Sequence, residues 1–164
     1  MNNPSTGEPP PRHDRRADIR RATSDDAPAI AEVFLASFGA TYTFALAHTP
    51  DEVRGWVASH LVPTTETWVA IVDGEVVGFL SLGDTFVEQL YVAPGWTGNG
   101  IGSRLIELAK QRRPLGLELF TFQVNEGARR FYERHRFSAV WFGDGSENEE
   151  GQPDVRYAWG PTST

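Results

Sequence analysis

The chain has 164 residues, a formal net charge of −7, 40% hydrophobic and 12% aromatic residues, and no cysteine. That length suits one domain with a sizeable core, the acidic balance speaks against a general nucleic-acid binder, and the lack of thiols excludes disulfides, thiolate nucleophiles and zinc–thiolate sites. No run approaches the roughly 20 apolar residues needed to span a membrane, and the N-terminus lacks the apolar core of a signal peptide, so a cytoplasmic location is expected.

Residues 1–16 are rich in Pro, Asn, Arg and Gly without apolar periodicity. They read as a disordered tail, leaving 17–164 as a single domain. A short strand is predicted over 18–22. Thr23, Ser24, Asp25 and Asp26, followed by Pro28, are helix-start signals. Ile30, Val33, Phe34, Ser37 and Phe38 then recur at helical spacing, and Gly39 is expected to end or bend the helix. Tyr42 and Phe44 fall in a loop or short turn. Thr49 as cap and Pro50 at the first position open a second helix, with Val53, Trp56, Val57, His60 and Leu61 inward and Pro63 as its stop. Strands follow over 67–72 and 75–82, joined by the hairpin signal Asp73-Gly74, and over 85–92. A helix over 100–113, a strand over 117–124, a helix from Asn125 to about His135, and strands over 137–142 and 155–159 complete the order. The intervening 143–153 is polar, acidic and turn-rich, a mobile loop or extended hairpin. This order implies an α/β fold, a mixed, mostly antiparallel sheet of about seven strands flanked by helices.

The apolar strand ending Leu90-Tyr91-Val92 runs through Ala93-Pro94 into Thr97-Gly98-Asn99-Gly100-Ile101-Gly102-Ser103, where a helix begins. Glycines there leave the backbone bare, and consecutive N–H groups at a helix start form an anion site. The spacing fits neither the dinucleotide fingerprint nor the P-loop. It resembles the pyrophosphate loop of the GNAT acetyltransferases, Gln/Arg-x-x-Gly-x-Gly/Ala after Val-x-Pro, with Thr97 standing where Gln or Arg is usual. A second motif, Asn125-x-x-Ala128-Arg129-x-Phe131-Tyr132-x-x-x-x-Phe137, resembles that family's Asn-x-x-Ala-x-x-Phe-Tyr-x-x-x-Gly-Phe, with Arg136 in place of the glycine.

The resemblance implies a central sheet splayed into a V around acetyl-CoA, with a bulge in 86–90. It implies that Thr97, Gly98, Asn99, Gly100, Ile101, Gly102 and Ser103 hold the pyrophosphate, and that backbone groups of Leu90, Tyr91 and Val92 meet the pantetheine arm and thioester. Asn125 would bond the pantetheine or serve as a plain helix cap. Tyr132 would protonate the departing sulfur, or simply pack with Phe131 and Phe137. Arg129, Arg130 or Arg134 would meet a coenzyme phosphate, with solvated helix charge as the ordinary reading; Arg129 is carried as the candidate. An acceptor pocket would draw on Phe38, Tyr42, Phe44, Glu88 and Tyr157, any of whose aromatics could be core.

Acetyl transfer to an amine requires loss of a proton from an ammonium with a pKa near 10. Glu88 is the candidate base, set by period-2 alternation on the face of Leu90 and Val92 and acting directly or through water; the plain alternative is a solvent-facing strand acid. His13, His48, His60 and His135 show no metal-ligand spacing and no evident serine partner, so neither a metal site nor a Ser-His-Asp enzyme is expected. The expected activity is transfer of acetyl from acetyl-CoA to a primary amine of a small molecule or peptide, by direct attack in a ternary complex. The alternative is a non-catalytic acyl-CoA-binding module on the same fold. Monomer and homodimer are both compatible with the chain.

Overall fold

The computed structural model describes residues 16–161, so the expected tail lies outside the described residues except for Arg16. In chain order the elements are β1 (Asp18–Arg21), α1 (Ala27–Thr41), α2 (Pro50–Trp56), α3 (Val62–Thr64), β2 (Glu66–Val72), β3 (Glu75–Leu82), β4 (Val87–Val92), α4 (Ile101–Arg112), β5 (Leu117–Phe122), α5 (Glu126–Arg134), β6 (Ser138–Gly143) and β7 (Asp154–Trp159). The strands form two antiparallel sheets, ordered β1-β2-β3-β4 and β5-β7-β6, and the seven-strand mixed architecture matches the expectation.

Local sequence explains most boundaries. Asp73 and Gly74 both have positive φ, 51° and 79°, the backbone that a tight hairpin with right-handed strand twist requires. Thr49 caps α2, its hydroxyl accepting from the Glu52 N–H at 3.2 Å, while Glu52 reaches back to the Thr49 N–H. Asn125 caps α5 through the Ala128 N–H at 3.0 Å.

Two expected helix stops are overridden. Gly39 lies inside α1, because the buried face of Ile30, Val33, Phe34, Ser37 and Phe38 outweighs the cost of one glycine, about 1 kcal/mol. Pro63 does not end the second helix. The chain widens into a π-helical turn over Val57–Leu61, with the Val62 N–H donating to the Val57 carbonyl, and this takes up the proline before the helix stops at Thr64.

The end of α5 is a helix exit of Schellman form. The Phe137 N–H donates to the Tyr132 carbonyl at 3.0 Å and the Arg136 N–H to that of Glu133 at 3.1 Å. Phe137 packs back on Tyr132 with ring centroids 5.7 Å apart. Arg136, standing at the family's glycine position, adopts the left-handed φ of 69° that glycine would take without strain.

One core cluster, including Val69, Phe79, Phe34 and Val57, lies under α1 and α2. The other, with Leu80, Leu105, Leu119, Val155 and Tyr157, joins both sheets beneath α4 and α5.

Candidate active site

β4 and β5 neighbour each other only where they start. Phe86 forms an isolated parallel bridge with Glu118, whose N–H donates to the Thr85 carbonyl at 2.9 Å. Beyond that point the strands part, and β4 has β3 as its one strand neighbour. A cavity of about 640 Å³ opens beside the freed edge of β4, walled by Leu90, Tyr91 and Val92, by the glycine loop and by α5. Ser37 of α1 donates to the Val92 carbonyl at 2.8 Å on this exposed edge.

The glycine loop closes one end. Gly98 and Gly100 have φ of 81° and 80°, closed to most side chains. The Arg104 N–H is bonded to the Gly100 carbonyl, so the N–H groups of Ile101, Gly102 and Ser103 precede the helical ladder. Thr97, Gly98, Gly100, Gly102 and Ser103 line the cavity. Asn99 does not; its amide donates to the Trp96 carbonyl at 3.2 Å and ties the loop together. The Ile101 side chain is buried in the core and leaves only its backbone at the loop.

On the α5 side, Asn125 lines the cavity, but its side chain is engaged internally: it caps Ala128 and donates to the Tyr42 hydroxyl at 2.9 Å. Tyr132 lines the wall, 8% exposed, with its phenol raised above the ordinary value by burial. Its hydroxyl forms no hydrogen bond among the described residues. The arginines sort differently from the expectation. Arg134 lines the cavity, whereas Arg129 donates to the Tyr157 hydroxyl at 3.2 Å and lies over the Phe142 ring. Ser37, Thr41, Trp96, Gly127, Ala128 and Phe131 also line the cavity without having been singled out as site residues. Arg134, one helical turn beyond Phe131 and two residues past Tyr132, carried a readable positional signal.

The acceptor candidates scatter. Phe38, Tyr42 and Phe44 form one aromatic cluster with Phe122, and of these only Tyr42 lines the large cavity. Tyr157 is fully buried, accepting from Arg129 and donating to Glu133 at 3.2 Å, so it belongs to the core. Glu88 is exposed and outside the cavity wall. Ser81 pairs with Gln89 but Leu82 with Val87, so Glu88 is the extra residue of a β-bulge. The bulge expected in 86–90 is present, and it breaks the alternation that would align Glu88 with Leu90 and Val92. The Glu88 carboxylate turns toward Gly83, where an added Cβ would come within 2.7 Å of it.

A second cavity, about 320 Å³, shares Phe122 with the aromatic cluster and is lined by Phe120, Thr121, Phe122 and Trp141 with Glu147, Asn148 and Asp154. One histidine departs from expectation. His135 Nε2 lies 3.0 Å from Ser103 Oγ, and its Nδ1 lies 3.3 Å from Glu107 Oε1. Among the described residues no group of three or more acidic or histidine side chains could hold a metal ion, and no helix is long and apolar enough to cross a membrane.

The acetyltransferase (GNAT) domain family matches residues 63–139. Peptidyl-lysine N-acetyltransferase YiaC of Escherichia coli K12 is 32% identical over 123 residues, covering 74% of this chain and 84% of YiaC. The solution structure of apo-form YjaB from E. coli superposes with a TM-score of 0.72 at 26% identity, covering 87% of this chain and 96% of YjaB. The crystal structure of PaiA N-acetyltransferase from Thermoplasma acidophilum in complex with coenzyme A superposes with a TM-score of 0.66 at 19% identity, covering 87% and 97%.

Proposed function

The chain belongs to the GNAT family of N-acetyltransferases, and from that premise we propose that it carries acetyl from acetyl-CoA to a primary amine by direct attack in a ternary complex. The observation that carries the reading is the split between β4 and β5, with an anion-ready glycine loop at one end and the Tyr132 phenol in its wall. Backbone N–H groups of Gly102, Ser103 and their neighbours would take the pyrophosphate, helped by the α4 dipole. Arg134 would add a positive charge. The open edge of β4 supplies backbone donors for the pantetheine arm and for the oxygen of the thioester carbonyl as charge develops there. Tyr132, kept neutral by burial, holds a proton for the departing thiolate.

Neither carboxylate nor imidazole is among the side chains lining this cavity. We therefore infer that the acceptor ammonium gives its proton to water in the open split. The lysine side chain of a peptide is the favoured acceptor, as the names of similar enzymes suggest. Its alkyl stem suits the aromatic walls Phe120, Phe122 and Trp141 of the second cavity, and Glu147 and Asp154 there suit basic residues that flank the lysine in the peptide.

The test is calorimetric titration of acetyl-CoA into wild-type protein and a Gly100→Glu variant, followed by an assay for coenzyme A release with a lysine peptide. Binding and release by the wild type, with neither in the variant, is the expected result. No binding to the wild type overturns the reading, and binding without release on any amine reduces the protein to an acyl-CoA-binding module.

A further inference from the structure

Ser103, His135 and Glu107 form a relay that the acetyl-transfer chemistry does not use. Ser103 lies in the first turn of α4 and lines the cofactor end of the large cavity. Its hydroxyl has one proton to give. His135 ends α5, with its side chain only 17% exposed, and its ring packs on Phe131 at 4.7 Å between centroids. The groups facing it are few. Glu107 meets Nδ1 at 3.3 Å. Lys110 of α4 reaches the same carboxylate oxygen at 3.4 Å and donates to the His135 backbone carbonyl at 2.5 Å. Arg134 and Arg136 flank it in sequence, and the Arg134 guanidinium stands over the Phe131 ring.

A carboxylate at Nδ1 requires N–H there. In the neutral imidazole, Nε2 is then a bare lone pair, and the Ser103 hydroxyl satisfies it by donating its proton. A phosphate oxygen entering the cavity needs that same proton. If Ser103 turns to the phosphate, its oxygen presents a lone pair to the lone pair of Nε2. One added proton resolves the conflict: imidazolium donates to Glu107 from Nδ1 and to Ser103 from Nε2, which frees the serine hydroxyl to donate to the phosphate. The mobile charge also moves toward the anion.

We propose that His135 is a positioning residue for the coenzyme, and that binding of the coenzyme's pyrophosphate at Ser103 is coupled to uptake of a proton by His135. This rests on the reading of the large cavity as the acetyl-CoA site. Histidine is the side chain able to do this near neutral pH. Because the bound state holds the proton more tightly, affinity falls as pH rises.

Acetyl-CoA is titrated into wild type, His135→Asn and Ser103→Ala at about pH 7.5, in buffers of different ionisation enthalpy, so that the heats report protons exchanged. Ionisation of the coenzyme's own phosphates contributes equally to all three. The wild type is expected to take up protons, at most one, beyond either variant, and to lose affinity, at most tenfold per pH unit, as pH rises while the variants stay flat. Retention of the wild-type uptake in either variant overturns the relay while leaving the coenzyme site standing. Absence of any acetyl-CoA binding to the wild type overturns the relay and the coenzyme site together.

Discussion

Tyr42 and Phe122 meet edge to face, with ring centroids 5.3 Å apart and planes at 87°, and each lines a different cavity. Tyr42 is held by Asn125, and Phe122 is the last residue of β5, so the pair stands where the first cavity and the aromatic, acid-lined second cavity adjoin. Phe122→Ala should raise the KM for a lysine peptide about tenfold, from the loss of about 1–1.5 kcal/mol of aromatic contact. The dissociation constant for acetyl-CoA should stay near the wild-type value. Steady-state kinetics paired with calorimetry separates the two, and a loss confined to acetyl-CoA would refute a place for Phe122 on the acceptor side.

Two left-handed positions make opposite predictions. Gly100 has φ 80° and open space around its missing side chain, so Gly100→Ala costs about 1–2 kcal/mol of backbone strain alone. Arg136 already carries that strain at φ 69°. Arg136→Gly should stabilise the protein by about 0.5–1 kcal/mol, the strain relieved less the extra freedom that glycine gains when unfolded. Denaturant melts should therefore move in opposite directions for the two variants.

Tyr132→Phe keeps the ring that packs on Phe131 and Phe137 and removes the phenolic proton. A fall in kcat of about 100-fold or more is expected, with acetyl-CoA binding unchanged. Unchanged kcat in this variant would show that the departing thiolate takes no proton from Tyr132.

Glu88→Gln should leave kcat within about threefold of wild type, because a general base contributes on the order of 100-fold or more and Glu88 stands in the bulge beside Gly83, away from the cavity wall. Correspondingly, kcat/KM should climb with pH toward the ionisation of the acceptor amine itself. A plateau set by an enzyme group near neutrality would restore a protein base.

Glu66 ties the edge of β2 to the end of α4. Arg112 donates at 2.7 and 3.2 Å and Arg113 at 3.3 Å, with Trp68 as a third donor at 2.9 Å. These donors, Arg112 foremost, hold the carboxyl at about 2 rather than 4.5. The stabilisation is complete above pH 4.5 and is lost as pH falls through about 2. Glu66→Gln should therefore be destabilised by about 2 kcal/mol at neutral pH, allowing for the exposure of Arg112. Urea melts run down the pH scale should bring the two proteins together near the acid end.

The parts of the fold legible in sequence are those fixed by neighbours in the chain. Thr49 and Asn125 cap, Asp73-Gly74 turns, and both glycine-loop and α5 motifs fall where local pattern puts them. Errors arise where distant packing decides. Gly39 stays helical because α1 buries a continuous apolar face, and Pro63 because the π-helical turn over Val57–Leu61 precedes it. Glu88 is misdirected by one inserted residue, since a period of two flips every side chain after a slip. Arg129 and Tyr157 are drawn together 28 residues apart, and Ser103 and His135 32 apart. No periodicity within either segment carries such a pairing.

Among the described residues the two sheets share one bridge, at Phe86 and Glu118, while Leu80, Leu119 and Tyr157 of the two sheets pack in one core with Leu105 of α4. A hydrogen-bond ladder tolerates no intermediate spacing, whereas a packed core accepts graded changes in volume. The width of the split is thus an inheritable variable: buried substitutions remote from its walls can widen or narrow it in small steps.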